Sequence, residues 1–180
     1  SAIVRLSARN TQDVGELTEK LERRIEALAG AHRASLSADA LEHDRTDLRT
    51  LIEAVMRPYR NARADRIDLA GELIELPRQH VTPLGLTMHE LATNASKYGA
   101  LSAEGGTIAV SWHHEEDRHG RQALIIDWKE TGGPAITQTP TSSGTGFDIA
   151  ERLLAYSRGT LDRTWEGDGL RARISLPLKA

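Results

Sequence analysis

The period of the apolar residues changes partway along the chain, and that change limits the possible folds. From Val14 to Leu36, the residues Val14, Leu17, Leu21, Ile25, Leu28 and Ala29 recur in steps of three and four, which is one face of an amphipathic helix. Asn10, Thr11 or Asp13 can cap its start. Ile3, Val4 and Leu6 read as the end of an earlier helix, so residues 1–45 form a partial two-helix hairpin. Thr46 caps a further helix carrying Leu48, Leu51, Ile52 and Val55, expected to stop before Pro58. After Arg66 the texture alternates. Ile67–Leu69 and Leu73–Leu76 read as short strands about Gly71, and Thr107–His113, Ala123–Lys129, Thr160–Trp165 and Leu170–Leu176 as further strands. Pro83–Tyr98 and Ile149–Tyr156 are the helices among them. The expected fold is α+β over residues 46–180, with the hairpin in front.

The core of such a domain has to be largely aliphatic, because the 180 residues include only three Trp, three Tyr and one Phe. Lys and Arg number 23 against 26 Asp and Glu, a net charge of −3, so the basic excess of a nucleic-acid binder is missing. No polybasic run suits a membrane surface. Without cysteine there is no disulfide, thiolate metal site or thiol nucleophile. Apolar runs such as Ala123–Ile126 are far too short to span a bilayer. Arg5 and Arg9 break the N-terminal apolar run, against a signal peptide. A cytoplasmic protein is expected.

Chemistry concentrates in Leu86–Leu101, LTMHELATNASKYGAL. On a helix, Glu90, Asn94 and Lys97 fall at i, i+4 and i+7 and share a face, while Leu84, Met88, Leu91 and Ala95 take another. A carboxylate, an amide and an ammonium in a row suit magnesium and phosphate, since the hard cation takes oxygen ligands and keeps waters. Alone, the triplet reads as a solvated face before a metal-phosphate site. Competing motifs fail. His89-Glu90 opens an H-E-x-x-H pattern, but Thr93 stands where the second zinc histidine is needed. No G-x-x-x-x-G-K-[ST] loop occurs, and Ile149 replaces the third glycine of a dinucleotide fingerprint begun at Gly144. His113, His114 and His119 lie about a polar hairpin with Glu115, Glu116 and Asp117, which reads as a solvated turn before a metal cluster. Thr131–Gly146 is rich in Gly, Pro, Ser and Thr, and so long a loop in a compact domain is usually functional.

Two further stretches give the helix motif its context. DWKETGGPAI, Asp127–Ile136, sets an acidic residue before a glycine pair, and GTGFDIAERLLAYSRGTL, Gly144–Leu161, is a glycine turn entering a helix whose amides can meet phosphate. Together the three motifs resemble the ATP-binding domain of sensor histidine kinases. More narrowly they are similar to the HWE group, through His89, Trp128 and Glu130. The N-terminal AIVRLSARNT…LERRIEALAGAH is similar to that family's dimerisation and phosphotransfer hairpin.

The resemblance implies a two-layer α/β sandwich of the Bergerat type, with ATP and magnesium as ligands. It places Asn94 on magnesium and Glu90 beside it, polarising water or assisting the metal shell. Lys97 would contact phosphate and Tyr98 pack near the nucleotide. Glu130 would accept from the adenine amine, Gly132 would let backbone approach the base, and Gly144 and Gly146 would flank a lid. His89 either shapes the site by hydrogen bonding or is a half-buried structural histidine. Trp128 reads as packing, and His32 as structural or surface. Asp148 sets a negative charge near the phosphates where the family often has Gly or a basic residue. The family's H-R-x-x-N acceptor box does not occur in this sequence, so the acceptor histidine is expected upstream of Ser1 or lost. The implied reaction is γ-phosphoryl transfer from ATP to a histidine, for relay to a response regulator receiver domain, with a possible homodimer through the hairpin. The alternative is a non-catalytic module that binds or sequesters a response regulator.

Overall fold

The computed structural model describes residues 45–60, 64–116, 121–136 and 145–178. The helical hairpin expected before Arg45, with His32, lies outside these residues, as do Gly144 and the tip of the His119 hairpin. The described elements are β1 (Arg45–Asp47), α1 (Leu48–Arg60), β2 (Ile67–Gly71), β3 (Glu75–Pro77), α2 (Arg78–Lys97), β4 (Thr107–Glu116), β5 (Gln122–Thr131), α3 (Thr145–Tyr156), β6 (Thr160–Glu166) and β7 (Gly169–Pro177). Short 3-10 turns cover Ala64–Arg66 and Ala100–Ser102.

Five strands make one mixed sheet in the order β2-β4-β5-β7-β6. β2 and β4 are parallel and every other pair is antiparallel. A parallel neighbour requires a crossover, and the segment containing α2 supplies it. β1 and β3 form a separate antiparallel pair. Alternation then sorts the faces. Ile108, Val110 and Trp112 of β4, Leu124, Ile126 and Trp128 of β5, and Leu170, Ala172, Ile174 and Leu176 of β7 are buried in one core. Leu51, Ile52 and Met56 of α1, Leu84, Met88 and Leu91 of α2, and Phe147 and Leu154 of α3 join it from the helical layer. The opposite sheet face exposes Thr107, Ala109, Ser111, Lys129, Arg171 and Arg173. This is the two-layer α/β sandwich that was expected. Its core is mostly aliphatic, yet its largest fully buried side chains include Trp112 and Trp128.

Several element boundaries differ from the spacing: α3 begins at Thr145 rather than Ile149 and β3 at Glu75 rather than Leu73, and three further cases have a visible cause. Asp47, not Thr46, caps α1: its Oδ2 accepts from the Thr50 N–H at 2.9 Å and the Thr50 hydroxyl at 2.7 Å. Thr46 is instead paired in β1 with Leu76. Helix α1 runs through exposed Pro58 to Arg60, because Tyr59 fastens the last turn to α2 through a 2.8 Å hydroxyl contact with Thr93. Helix α2 begins five residues before Pro83, which sits within it. Buried His80 and Val81 hold that extra turn against the fold.

Candidate nucleotide site

Helix α2 is the spine of the site, because the expected residues hang along one length of it. Leu84, Met88, Leu91 and Ala95 are fully buried, which fixes the rotation of the helix. That rotation leaves Glu90 and Asn94 half-buried and Lys97 exposed. From Glu90 to Lys97 the helix rises about 10 Å. Among the described residues, the side chains of Asn94 and Lys97 make no hydrogen bond or ion pair. A half-buried amide and an ammonium one turn apart are thus uncommitted. Tyr98 follows at the helix end, 74% exposed, an unusual position for so large a ring.

At the upstream end of this row, Glu90 meets the start of α3. A Cβ on Gly146 would collide with the Glu90 carboxylate, so the glycine lets the acid lie against the first turn of the helix. The positive end of α3 favours a carboxylate there. Asp148 is half-buried in the same first turn, a position that likewise suits an acid at a helix start. Phe147 is buried beside it, and the Arg163 guanidinium lies 4.3 Å from the centre of its ring. Arg163 also pairs with Glu151, one turn along α3.

At the downstream end stands Glu130, the last buried residue of β5 at 3% exposure. Its Oε1 accepts from the Trp128 indole N–H at 3.1 Å and its Oε2 from the Ala100 amide at 2.9 Å. Burial pushes its carboxyl up from the ordinary range, and the two donors offset only part of that. Gly99 closes the junction, since a Cβ there would strike Glu130 Oε2 and crowd Ala95 on α2. Gly132 has φ +69°, left-handed backbone that favours glycine, and a Cβ on it would lie 3.3 Å from the Gly105 carbonyl. The following residues rest on the β6–β7 turn: the Gly133 amide donates to the Asp168 carbonyl at 3.0 Å, and the Ile136 amide to Gly167 at 3.1 Å.

His89 is held from α1. The Tyr59 hydroxyl lies 3.2 Å from its Nδ1 and 2.8 Å from Thr93 Oγ1, and the two rings tilt at 58°. The histidine is half-buried and hydrogen-bonded at once. Trp128 is also more than packing, because its indole donates to Glu130 while its ring sits in the core. Alternation along β5 reported the burial and could not report the donor. Tyr59, Ala100 and Arg163 were invisible for another reason: they reach their partners across 30, 30 and 12 residues of chain. His113 and His114 lie on β4, and His114 pairs with Glu72 at 2.9 Å. Among the described residues no cluster of His, Asp or Glu gathers as metal ligands. None of the described helices is long and apolar enough to cross a membrane.

Comparison with known proteins bears on this arrangement. Residues 1–73 match the model of the HWE histidine kinase family. The chain is 39% identical over 180 residues to blue-light-activated histidine kinase 1 of Erythrobacter litoralis, covering 99% of this chain and 48% of the relative. It is 32% identical to a blue-light-activated histidine kinase of Brucella anthropi, covering 99% of this chain and 36% of that one. It therefore spans less than half the length of these curated relatives. Among solved structures, the histidine kinase domain of the Erythrobacter litoralis EL346 blue-light-activated kinase aligns with a TM-score of 0.62 at 19% identity, over 98% of this chain and 83% of that one. The mycobacterial sensor histidine kinase MprB aligns at 0.51 and 18% identity, over 74% of this chain and 97% of the other. The fold is that of histidine-kinase ATPase domains, and the chain resembles the HWE-type sensor histidine kinases in sequence.

Proposed function

We propose that residues 46–180 are the ATP-binding catalytic domain of an HWE-type sensor histidine kinase, and residues 1–45 part of its dimerisation and phosphotransfer hairpin. The observation that carries this reading is the uncommitted pair Asn94 and Lys97, strung along α2 between the Glu90–Gly146 contact and the Gly99–Glu130 contact. Adenine takes the Glu130 and Gly132 end, where left-handed backbone allows close approach. Tyr98 packs near the nucleotide. Phosphates take the other end, with Lys97 neutralising charge and Gly146 at the amides of α3; Gly144 flanks the same turn. An amide oxygen and a nearby carboxylate are hard oxygen donors, so Asn94, assisted by Glu90, is the residue to hold magnesium. Magnesium bound there supplies neutralisation of the charge on the transferring phosphoryl group.

The protein's own contribution is to position and to screen. Glu90 would assist Asn94 in holding the ion and polarise a water beside it, and His89, fixed by Tyr59, keeps that turn of α2 in place. The acceptor imidazole attacks the γ-phosphorus, the bond to the bridging oxygen breaks, and ADP leaves. The phosphoryl group then passes to a response regulator receiver domain, and the hairpin supports a homodimer in the cytoplasm, where ATP is available. The test is labelling in trans: this chain, magnesium and γ-labelled ATP are mixed with a concentrated separate hairpin carrying a complete acceptor box. Label on the hairpin that disappears with Asn94→Ala is expected. ATP binding with no transfer to any hairpin would replace the kinase reading with that of a non-catalytic module.

A further inference from the structure

One arginine outside every motif holds the wall of the adenine end. Arg66 closes the 3-10 turn before β2, partly buried, and its guanidinium spans three carbonyls of the loop that follows α2. Its Nε donates to Gly106 at 2.7 Å, and its Nη2 to Ala103 at 2.6 Å and Ala100 at 3.2 Å. Ala100 faces both ways, for its carbonyl accepts from Arg66 while its amide donates to Glu130 Oε2 at 2.9 Å. The same loop touches the other side of the site, since Gly105 and Gly106 are what a Cβ on Gly132 would meet at 3.3 Å. A Cβ on Gly106 would collide with the Ala100 carbonyl, so the loop is folded tightly around the guanidinium. One planar fork thus sets both the donor to Glu130 and the backbone beneath Gly132. A point-like ammonium cannot span that geometry.

We infer that Arg66 is a positioning residue for nucleotide binding, acting through the Ala100 amide on Glu130 without touching the base itself. This rests on the nucleotide reading above. The loop has no regular ladder of its own between Ser102 and Thr107, and the guanidinium replaces one. Without Arg66 its carbonyls turn to water, Ala100 moves, and Glu130 loses one of the two donors that hold its carboxylate.

The test uses the full 180-residue chain, with ATP and excess magnesium as the probe in calorimetry and the Ala100 amide resonance as a second readout. Arg66→Ala should weaken binding about tenfold or more, and the Ala100 amide should shift upfield as its bond to the carboxylate lengthens. Arg66→Lys, which keeps the charge and loses the Nε bond to Gly106, should shift Ala100 the same way and bind less tightly than wild type. It decides the matter should Arg66→Ala not fold. Arg49→Ala is the control. Arg49 also spans backbone carbonyls, those of Leu69 and Gly71, but at the far end of β2, so its loss should leave affinity within about twofold. Rescue of Arg66→Ala by added guanidinium at low millimolar concentration would support the proposal further. Folded Arg66 variants that bind like wild type, with Ala100 unmoved, overturn this proposal and leave the nucleotide reading standing. A wild-type chain that binds no ATP overturns the nucleotide reading, and this proposal with it.

Discussion

Gly146 and Gly106 lie at opposite ends of the site, and alanine should act differently at each. At Gly146 the obstacle to a Cβ is the carboxylate at the far end of the Glu90 side chain; at Gly106 it is the backbone of Ala100. Gly146→Ala should therefore fold with nearly unchanged thermal stability, helped by better helix propensity. The displaced Glu90 should lower phosphoryl transfer by about tenfold to a hundredfold. Gly106→Ala should instead cost about 1–3 kcal/mol in denaturant unfolding. Equal destabilisation by both would show that Glu90 cannot move aside. Glu130 supplies a pH test with a definite sign. Its folded carboxyl titrates above the ordinary range, chiefly because burial disfavours the anion. The folded chain then holds this proton to higher pH than the unfolded chain, so the contribution to stability is present in acid and lost as pH rises through the raised value. Wild-type stability relative to Glu130→Gln should fall as pH rises from the ordinary carboxylate range through the raised value. A difference that is flat, or that grows with pH, contradicts the assignment.

Among the elements, α3 decides whether Gly146 stays opposite Glu90. Its core contacts are Phe147, Ile149, Ala150 and Leu154, and its first turn is tied to β6 by Arg163. Arg163→Ala should speed amide exchange at residues 146–150 and leave β5 and β7 protected, because only the helix start loses its anchor. Exchange unchanged in that turn would show that Phe147 burial suffices. The elements also mark how far the sequence was legible. The period of two gave β4, β5 and β7 to within three residues at either end; β4 and β7 alternate in burial, while β5 buries Leu124, Ile125 and Ile126 in a row and was legible by its apolar run. Helix ends were less legible. Pro58 read as a stop and Pro83 as a start, and tertiary contacts of Tyr59 and His80 carried the helices past the one and ahead of the other. The same division runs through the site. Glu90, Asn94 and Lys97 share a helix, so their spacing places them on one face. Arg66 is brought to Ala100 by the crossover between β2 and β4, and Glu130 by the pairing of β5 with β4, and no local pattern records either.

For the whole molecule, topology makes one row out of separate segments. The β2–β4 crossover lays α2 over the sheet, β5 delivers Glu130 to its carboxyl end, and α3 brings Gly146 to Glu90. The described residues that form the two ends all lie between Arg66 and Asp168, so residues 46–180 should bind nucleotide by themselves. The magnesium dependence of that binding tests the account most directly, because it needs Asn94, Glu90 and Lys97 to act together. Calorimetric titration of the chain with ATP should show a one-to-one isotherm in excess magnesium, much weaker binding with excess chelator, and no productive binding by Asn94→Ala in either buffer. Equal affinity in magnesium and chelator, or in wild type and Asn94→Ala, would contradict it.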